Sequence, residues 1–488
     1  MNLLKQLIPS DICLRCDVCC RFSDPQSDRV PFFLPEEREQ LTPQERKAFS
    51  HPLILSVSPE EGRCRCAFFE PETHACRIYG HRPLDCQLYP FLLLWNPTHS
   101  RVVLGLDIQC PFVQDLTQTQ DLLAYAEEVK AFLEKREQVE RLVKNPGMIG
   151  EPQEETLLLS PLSHLTETLC HLAPPREREL LDLGLRPLRL EDKPMLERFL
   201  QVAKVPLSSY SFPNLFLFQD LLPCYWTECQ ETLLVIAEQG GKSFLLLPPL
   251  GKNAEGALSE AMRILKELNG ESSPIQIENI PEEQKGFYER LGFRLLPKDP
   301  EYVYLREALV ELRGDPYKSK RSSYNYFVKN YSFSYLPYQE TLFNEGLLLF
   351  NRWAQFRRQN LKDPFALALL EDSFFVHHRI LRHASDLGLI GRIVRIAGEL
   401  KAYTFGFTLD EETFCVVAEI ADSQIKGLPQ FLFREFCREQ EGFCYINAMD
   451  DSGLESLRRV KESYRPILKK IAYAAAGRLQ GEPRLTAG

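Results

Sequence analysis

The sequence predicts a mixed α+β protein in which a cysteine-rich module precedes two α/β stretches, and three observations carry that expectation. Nine of the fifteen cysteines fall within the first 110 residues. From residue 186 onward, apolar runs of strand length alternate with segments whose apolar residues recur every three or four positions, the pattern of helices packed beside a sheet. Between these regions lies an acidic, proline-punctuated stretch. Length agrees: 488 residues at about 150 per domain make roughly three domains. Hydrophobic content of 44% and charged content of 26% exclude a disordered chain or a fibre. The longest apolar runs, at 91–95 and 244–247, fall well short of the ~18–20 residues of a membrane span. Residues 1–10 lack the apolar core and cleavage site of a secretory signal. A cytoplasmic protein is therefore expected, with peripheral membrane contact left open.

In the first module, Cys13-Leu-Arg-Cys16-Asp-Val-Cys19-Cys20 sets four sulfurs within eight residues. A two-residue gap lets a tight loop bring two thiolates onto one ion at about 2.3 Å. Three cysteines at such gaps also match the start of a ferredoxin-type run, whose distant fourth ligand precedes proline, as Cys110-Pro111 does. A second group follows: Cys64-Arg-Cys66-Ala-Phe-Phe, Cys76-Arg-Ile-Tyr and His81-Arg-Pro-Leu-Asp-Cys86, then Tyr89-Pro-Phe. A reducing compartment disfavours disulfides, so clustered thiols point to metal. The candidate ligands are Cys13, Cys16, Cys19, Cys20, Cys64, Cys66, Cys76, Cys86 and Cys110. Nine sulfurs exceed one tetrahedral site and nearly fill two, and thiolates suit zinc and an iron–sulfur cluster alike. His74 and His81 flank Cys76 and are expected at the surface or in hydrogen bonds. Together these blocks resemble the YkgJ-type cysteine-cluster family over about residues 11–112, with Asp17 where that family has glycine. The resemblance implies zinc or iron chelation, and an iron–sulfur cluster in some relatives.

The expected boundaries are 1–116 for the cysteine module, 117–185 for a helical acidic linker, 186–305 for a first α/β domain and 306–488 for a second. Leu122, Leu123, Ala126, Val129, Phe132, Leu133, Val139 and Leu142 predict helix over 117–144, ended by Asn145-Pro-Gly. A strand at Arg186 precedes a proline-started helix. Runs at 233–238 and 243–248 around Gly240-Gly241 form a hairpin. A helix at 257–268, a strand at 275–278 and a glycine-ended helix near Phe287 follow, the last resembling the helix-to-strand signature of GNAT-fold transferases. His377-His378, in a helical stretch, reads as a surface or capping pair.

Two runs are distinctive: Tyr304-Leu-Arg306 through Lys318-Ser-Lys320-Arg321, and Asn447-Ala-Met-Asp450-Asp451-Ser-Gly453 through Leu457-Arg458, Lys461 and Ser463-Tyr464-Arg-Pro466. Despite a net charge of −10, residues 306–331 and 451–470 each carry six cations against three acids. If 454–463 is helical, Arg458 and Lys461 share a face at i, i+3, the arrangement of an anion clamp. These runs resemble the C-terminal domain of phosphatidylglycerol lysyltransferases over about 186–478. The resemblance implies two tandem GNAT-like α/β domains and transfer of an acyl or aminoacyl group from an aminoacyl-tRNA or another anionic donor, to an acceptor the sequence does not name. Asp451, Lys461 and Tyr464 are the expected catalytic residues. Lys318, Lys320, Arg321, Glu419, Asn447 and Arg458 are expected to bind substrate, with Asp451 ahead of Glu419 for amine recognition. A pyrophosphate-cradling loop is only half present, as Gln424-x-x-Gly427 with Pro429 where a small residue belongs, which weakens acetyl-coenzyme A as donor. A competing expectation is a metal-dependent redox or regulatory binding protein whose GNAT-like halves have lost catalysis.

Overall fold

The computed structural model describes residues 8, 10–13, 16, 18–22, 30–51, 54–55, 57–60, 63–96, 101–114, 119–151, 156–172 and 176–477. They fall into two compact units, Met1–Pro174 and Pro175–Gly488. No helix among the described residues is long and apolar enough to cross a membrane.

The first unit has two parts. In the smaller, strand β1 (Arg63–Cys66) pairs antiparallel with Arg21–Phe22 and Val57–Glu60, and helix α1 (Leu84–Leu88) follows. Phe33, Leu41, Phe68, Phe69 and Ile78 form its core. In the larger, β2 (Phe91–Trp95), β3 (Val102–Asp107) and β4 (Thr156–Pro161) make an antiparallel sheet with β3 in the centre. Helices α2 (Thr119–Leu133), α3 (Arg136–Val143) and α4 (Ser163–Leu172) cover it. The apolar stripe Leu122, Ala126, Val129, Leu133, Val139, Leu142 and Leu165 joins Phe91, Val102, Leu104 and Leu106 in one core. Residues 119–172, expected as a linker, thus belong to this unit. The periodicity showed that a helix face must be buried, but a stripe does not name its partner, and β4 joins β3 through backbone hydrogen bonds invisible to sequence pattern.

The second unit holds two sheets with one topology. In the first, β5 (Arg186–Pro187), β6 (Cys224–Cys229), β7 (Thr232–Gln239) and β8 (Lys242–Leu245) run antiparallel, and helix α5 (Ala254–Asn269) crosses to β9 (Ile275–Pro281), parallel to β8. β10 (Arg294–Pro297) ends the sheet, and β11 (Glu301–Leu305) leaves it. After helix α6 (Lys318–Asn330), the second sheet runs β12 (Phe333–Pro337), β13 (Ile390–Ile396), β14 (Glu399–Thr408) and β15 (Thr413–Ala421), with helix α7 (Pro364–Leu387) between β12 and β13. Helix α8 (Leu428–Glu439) crosses to β16 (Tyr445–Asn447), parallel to β15. Helix α9 (Glu455–Glu462), β17 (Leu468–Lys470) and β18 (Ala472–Gly477) complete the chain.

The final strands are exchanged. β18 inserts between β9 and β10 of the first sheet, and β11 inserts between β16 and β17 of the second. A cut at residue 305 therefore does not separate the two sheets, because each takes a strand from beyond it. Across the same junction Ser208 donates its N–H and hydroxyl to Glu301, and Arg379 pairs with Asp220. Both histidines of the 377–378 pair are buried in α7 instead of standing at the surface, and His377 Nδ1 lies 3.0 Å from the Tyr403 hydroxyl.

Candidate functional site

Two regions gather the residues singled out by sequence. In the first unit a cavity of about 100 Å³ is lined by Cys13, Cys16, Cys19, Cys20, Cys66, Cys76 and Cys86. They arrive from separate local structures: a short helix at Ser10–Cys13, a turn at Val18–Cys20, the end of β1, the strand Ala75–Cys76, and α1. Cys110 is buried outside the lining, and Cys64 lies on β1 with its side chain outside the described residues. His74 is on the cavity wall, whereas His81 faces Glu45 at 3.5 Å. Arg82, its guanidinium 3.9 Å above the Tyr79 ring, hydrogen-bonds Cys13. Burial pushes the Cys66 and Cys110 thiols up to about 11 and the Asp85 carboxyl up to about 6. Such thiols stay neutral until a cation supplies the opposing charge. Among the described residues, no three His, Cys, Asp or Glu side chains are drawn together tightly enough to hold one ion.

In the second unit α9 does carry Arg458 and Lys461 on one face, and that face meets the turn at 448–451. The Lys461 ammonium donates to the carbonyls of Ala448 at 2.6 Å, Met449 at 3.2 Å and Asp450. Burial pulls it down to about 8 against the pull of Asp450 and Asp451. Asp451, wholly buried, accepts from the Tyr302 hydroxyl at 2.5 Å, Arg458 Nε at 3.0 Å and the Gly453 N–H at 3.1 Å. Burial would raise its carboxyl, but the bonds from Arg458 and Tyr302 outweigh it and hold it below the usual range. Asn447 donates to Glu301 at 2.5 Å and accepts from the Met449 N–H. These bonds fix a turn in which Met449 and Ser452 take positive φ, a conformation L side chains adopt at a cost. Asp451, Asn447 and Lys461 have thus been brought together, as parts of a braced turn.

The other predicted residues have different places. Tyr464 is 9% exposed and packs with Tyr304, Phe414 and Phe436 in the core. Lys320 sets its ammonium 4.0 Å above the Tyr464 ring, where burial lowers its pKa. Arg321 donates to the carbonyls of Leu312 and Gly314, tying down the preceding turn. Lys318 is exposed at the start of α6. Arg458 is also 3.4 Å from Asp299 and keeps an exposed edge.

Glu419 stands apart from all of these. β15 and β16 pair only at 413–415 and 445–447, so Glu419 lies four residues beyond the last parallel partner. An extra residue in β15 between Val416 and Ala418 breaks the register with β14, and such a bulge re-aims the side chains that follow. Glu419 Oε2 is buried without a hydrogen-bond partner, and burial pushes the carboxyl up to about 8. The Glu419 charge acts on both Tyr464 and Cys437. Sequence reasoning ranked it behind Asp451 because a lone glutamate on a strand carries no sign of an unpaired oxygen.

The half-formed phosphate loop ends at Gly427, whose φ of +85° caps α8. A Cβ there would stand 2.1 Å from the Ser323 carbonyl oxygen, so α6 lies directly across this helix start.

Residues 202–476 match the family model described as "Phosphatidylglycerol lysyltransferase, C-terminal". The chain belongs to that family. Residues 12–116 match a second model, described as "Putative zinc- or iron-chelating domain" and named for its CxxCxxCC motif. Among solved structures, a conserved protein of unknown function from Bacteroides thetaiotaomicron VPI-5482 is 24% identical, covering 60% of this chain and 99% of its own, with a TM-score of 0.54. L-PGS from Bacillus licheniformis is 18% identical over 59% of this chain and 93% of its own, TM-score 0.41. A tandem GNAT protein from the clavulanic acid biosynthesis pathway is 11% identical over 61% and 99%, TM-score 0.34. No curated protein matches. As a member of the lysyltransferase C-terminal family, the chain has a transferase-like α/β unit joined to a cysteine-motif unit.

Proposed function

We propose that the second unit is an acyltransferase, more narrowly an aminoacyltransferase, built from two GNAT-like halves and working in the cytoplasm. Its donor is an aminoacyl-tRNA or another anionic acyl ester. The observation that carries this reading is the family match over 202–476. The repeated strand order of the two sheets, each with one parallel pair, supports the two-half architecture. The obstruction of the α8 start by α6, and Pro429 in its first turn, favour a donor other than coenzyme A.

Within this reading Glu419 is the base. An acceptor hydroxyl or amine attacks the donor carbonyl while its proton passes to the Glu419 carboxylate; the ester C–O bond then breaks, and the departing oxygen takes up that proton. Lys318, Lys320 and the exposed edge of Arg458 supply positive charge for the donor phosphates. Asp451, Asn447 and Lys461 position the turn, Arg321 ties the start of α6, and Tyr464 packs in the core beneath Lys320. A carboxyl near 8 must lose its proton to act, so the transfer rate should rise with pH and level off above about 8.

The first unit is proposed to hold zinc or an iron–sulfur cluster on Cys13, Cys16, Cys19, Cys20, Cys66, Cys76 and Cys86, with Cys64 and Cys110 as further candidates. The donors are soft sulfur throughout, which suits either group, and when bound it supplies cross-linking or electron transfer.

The test uses anaerobically purified full chain with radiolabelled lysyl-tRNA. Retention of lysyl-tRNA over uncharged tRNA and acetyl-coenzyme A, and release of the label from tRNA lost in Glu419→Gln, are expected. Retention of none of these ligands would sink the transfer reading. A second reading, a binding protein without turnover, draws on the engagement of Asp451, Arg458 and Lys461 in internal bonds. It predicts retention of lysyl-tRNA with no release in the unaltered chain.

A further inference from the structure

We infer that the chain acylates itself, with the Lys320 amine as an internal acceptor of the donor's acyl group; this rests on the transfer reading above. Lys320 stands in the first turn of α6, half-buried, with its ammonium 4.0 Å above the Tyr464 ring. That ring is a fixed floor: Tyr317 donates its hydroxyl to the Tyr464 carbonyl at 3.1 Å, and the Phe433 ring packs against it edge-on at 5.0 Å. Glu419, whose buried Oε2 has no partner, acts on the same tyrosine. The amine and the proposed base therefore border one residue.

The lysines of α9 and β17 are occupied elsewhere. Lys461 is spent on the carbonyls of Ala448, Met449 and Asp450, Lys469 on the Glu462 carboxylate, and Lys470 on the Pro206 carbonyl. Among the described residues Lys320 has no carboxylate or carbonyl partner, only the face of an aromatic ring. A ring face favours the charged form, but burial opposes it and prevails, lowering the Lys320 pKa. A desolvated lysine is an activated nucleophile, and its flexible four-carbon stem lets the amine reach away from the ring. The step needs no redox partner. The ammonium gives one proton to solvent, and the freed nitrogen lone pair forms a C–N bond to the donor carbonyl carbon. The ester C–O bond breaks, and the second nitrogen proton goes to the departing oxygen, leaving an amide. Acylation removes the lysine charge, so a chain modified at Lys320 loses one of the cations assigned to the donor phosphates.

The full chain is incubated with lysyl-tRNA radiolabelled in its lysyl group and no added acceptor, then digested and mapped by mass spectrometry. Label is expected on the peptide carrying Lys320, stable to hydroxylamine as an amide is. It should be lost in Lys320→Arg, which keeps the charge but not the nucleophile. Lys318, two residues earlier and exposed, is the internal control. Label spread equally over Lys318 and other exposed lysines would mark uncatalysed aminolysis and overturn the inference. Release of lysine from tRNA with none on the chain, or label removed by hydroxylamine, would overturn it and leave the transfer reading intact. A chain that neither retains lysyl-tRNA nor releases its label removes the transfer reading and self-acylation together. Should the variant fail to fold, the mapped position in the unaltered chain still decides.

Discussion

The cysteine cavity and the braced turn were both flagged by dense sequence motifs, yet their side chains face opposite ways. In the first unit seven motif cysteines point into one open space. In the second unit Asn447, Asp451 and Lys461 are spent on Glu301, Arg458 and the backbone of the turn itself. A motif therefore marks a demanding local structure, and whether the demand comes from a ligand or from the turn itself depends on what lies opposite the side chains. Glu419 completes the contrast, because it has no motif and keeps an unpaired buried oxygen.

The largest effect is expected at the cavity. If its thiols hold metal, removing the metal with a chelator should lower a thermal transition of the full chain by at least about 10 °C, since binding energy at such sites is folding energy. Calorimetry showing no shift would move the cavity into the class of internally satisfied structure.

Glu419 comes next. Its folded pKa of about 8 lies above the ordinary 4.5, so the folded state keeps a proton that the unfolded chain releases. The resulting penalty is absent at low pH, grows as pH rises from 4.5 to 8, and is complete above 8. Glu419→Gln should therefore be more stable than the parent at pH 9, by on the order of 5 kcal/mol, with no gain near pH 4. Urea titrations at the two pH values measure the gap, and a gap independent of pH would show that the carboxyl has found a partner.

Asp451→Ala should lose about 2–4 kcal/mol, because it deprives a buried tyrosine, an arginine and a backbone N–H of their acceptor. A loss of turnover with unchanged stability would turn this residue from brace to participant. Smaller still, Gly427→Ala should cost about 1–3 kcal/mol through positive φ and the nearby Ser323 carbonyl. If it also created coenzyme A binding, the obstruction of that helix start would be refuted.

Much of the fold was legible because it follows from local physics. Gly240-Gly241 between apolar runs gave the hairpin β7–β8, and the amphipathic pattern of 257–268 gave α5. The i, i+3 spacing correctly put Arg458 and Lys461 on one helix face. What that face meets was not legible, because spacing fixes direction relative to the helix and not the identity of the neighbour.

Local pattern was enough for the strongly periodic helices, the β7–β8 hairpin, the available thiols and the family resemblance. Tertiary structure alone decided that 119–172 packs into the first unit, that β11 and β18 change sheets, and that Asp451 is closed while Glu419 is left unpaired. These outcomes rest on long-range backbone pairing and on desolvation. Both depend on what is brought near from distant parts of the chain, which no local pattern of residues encodes.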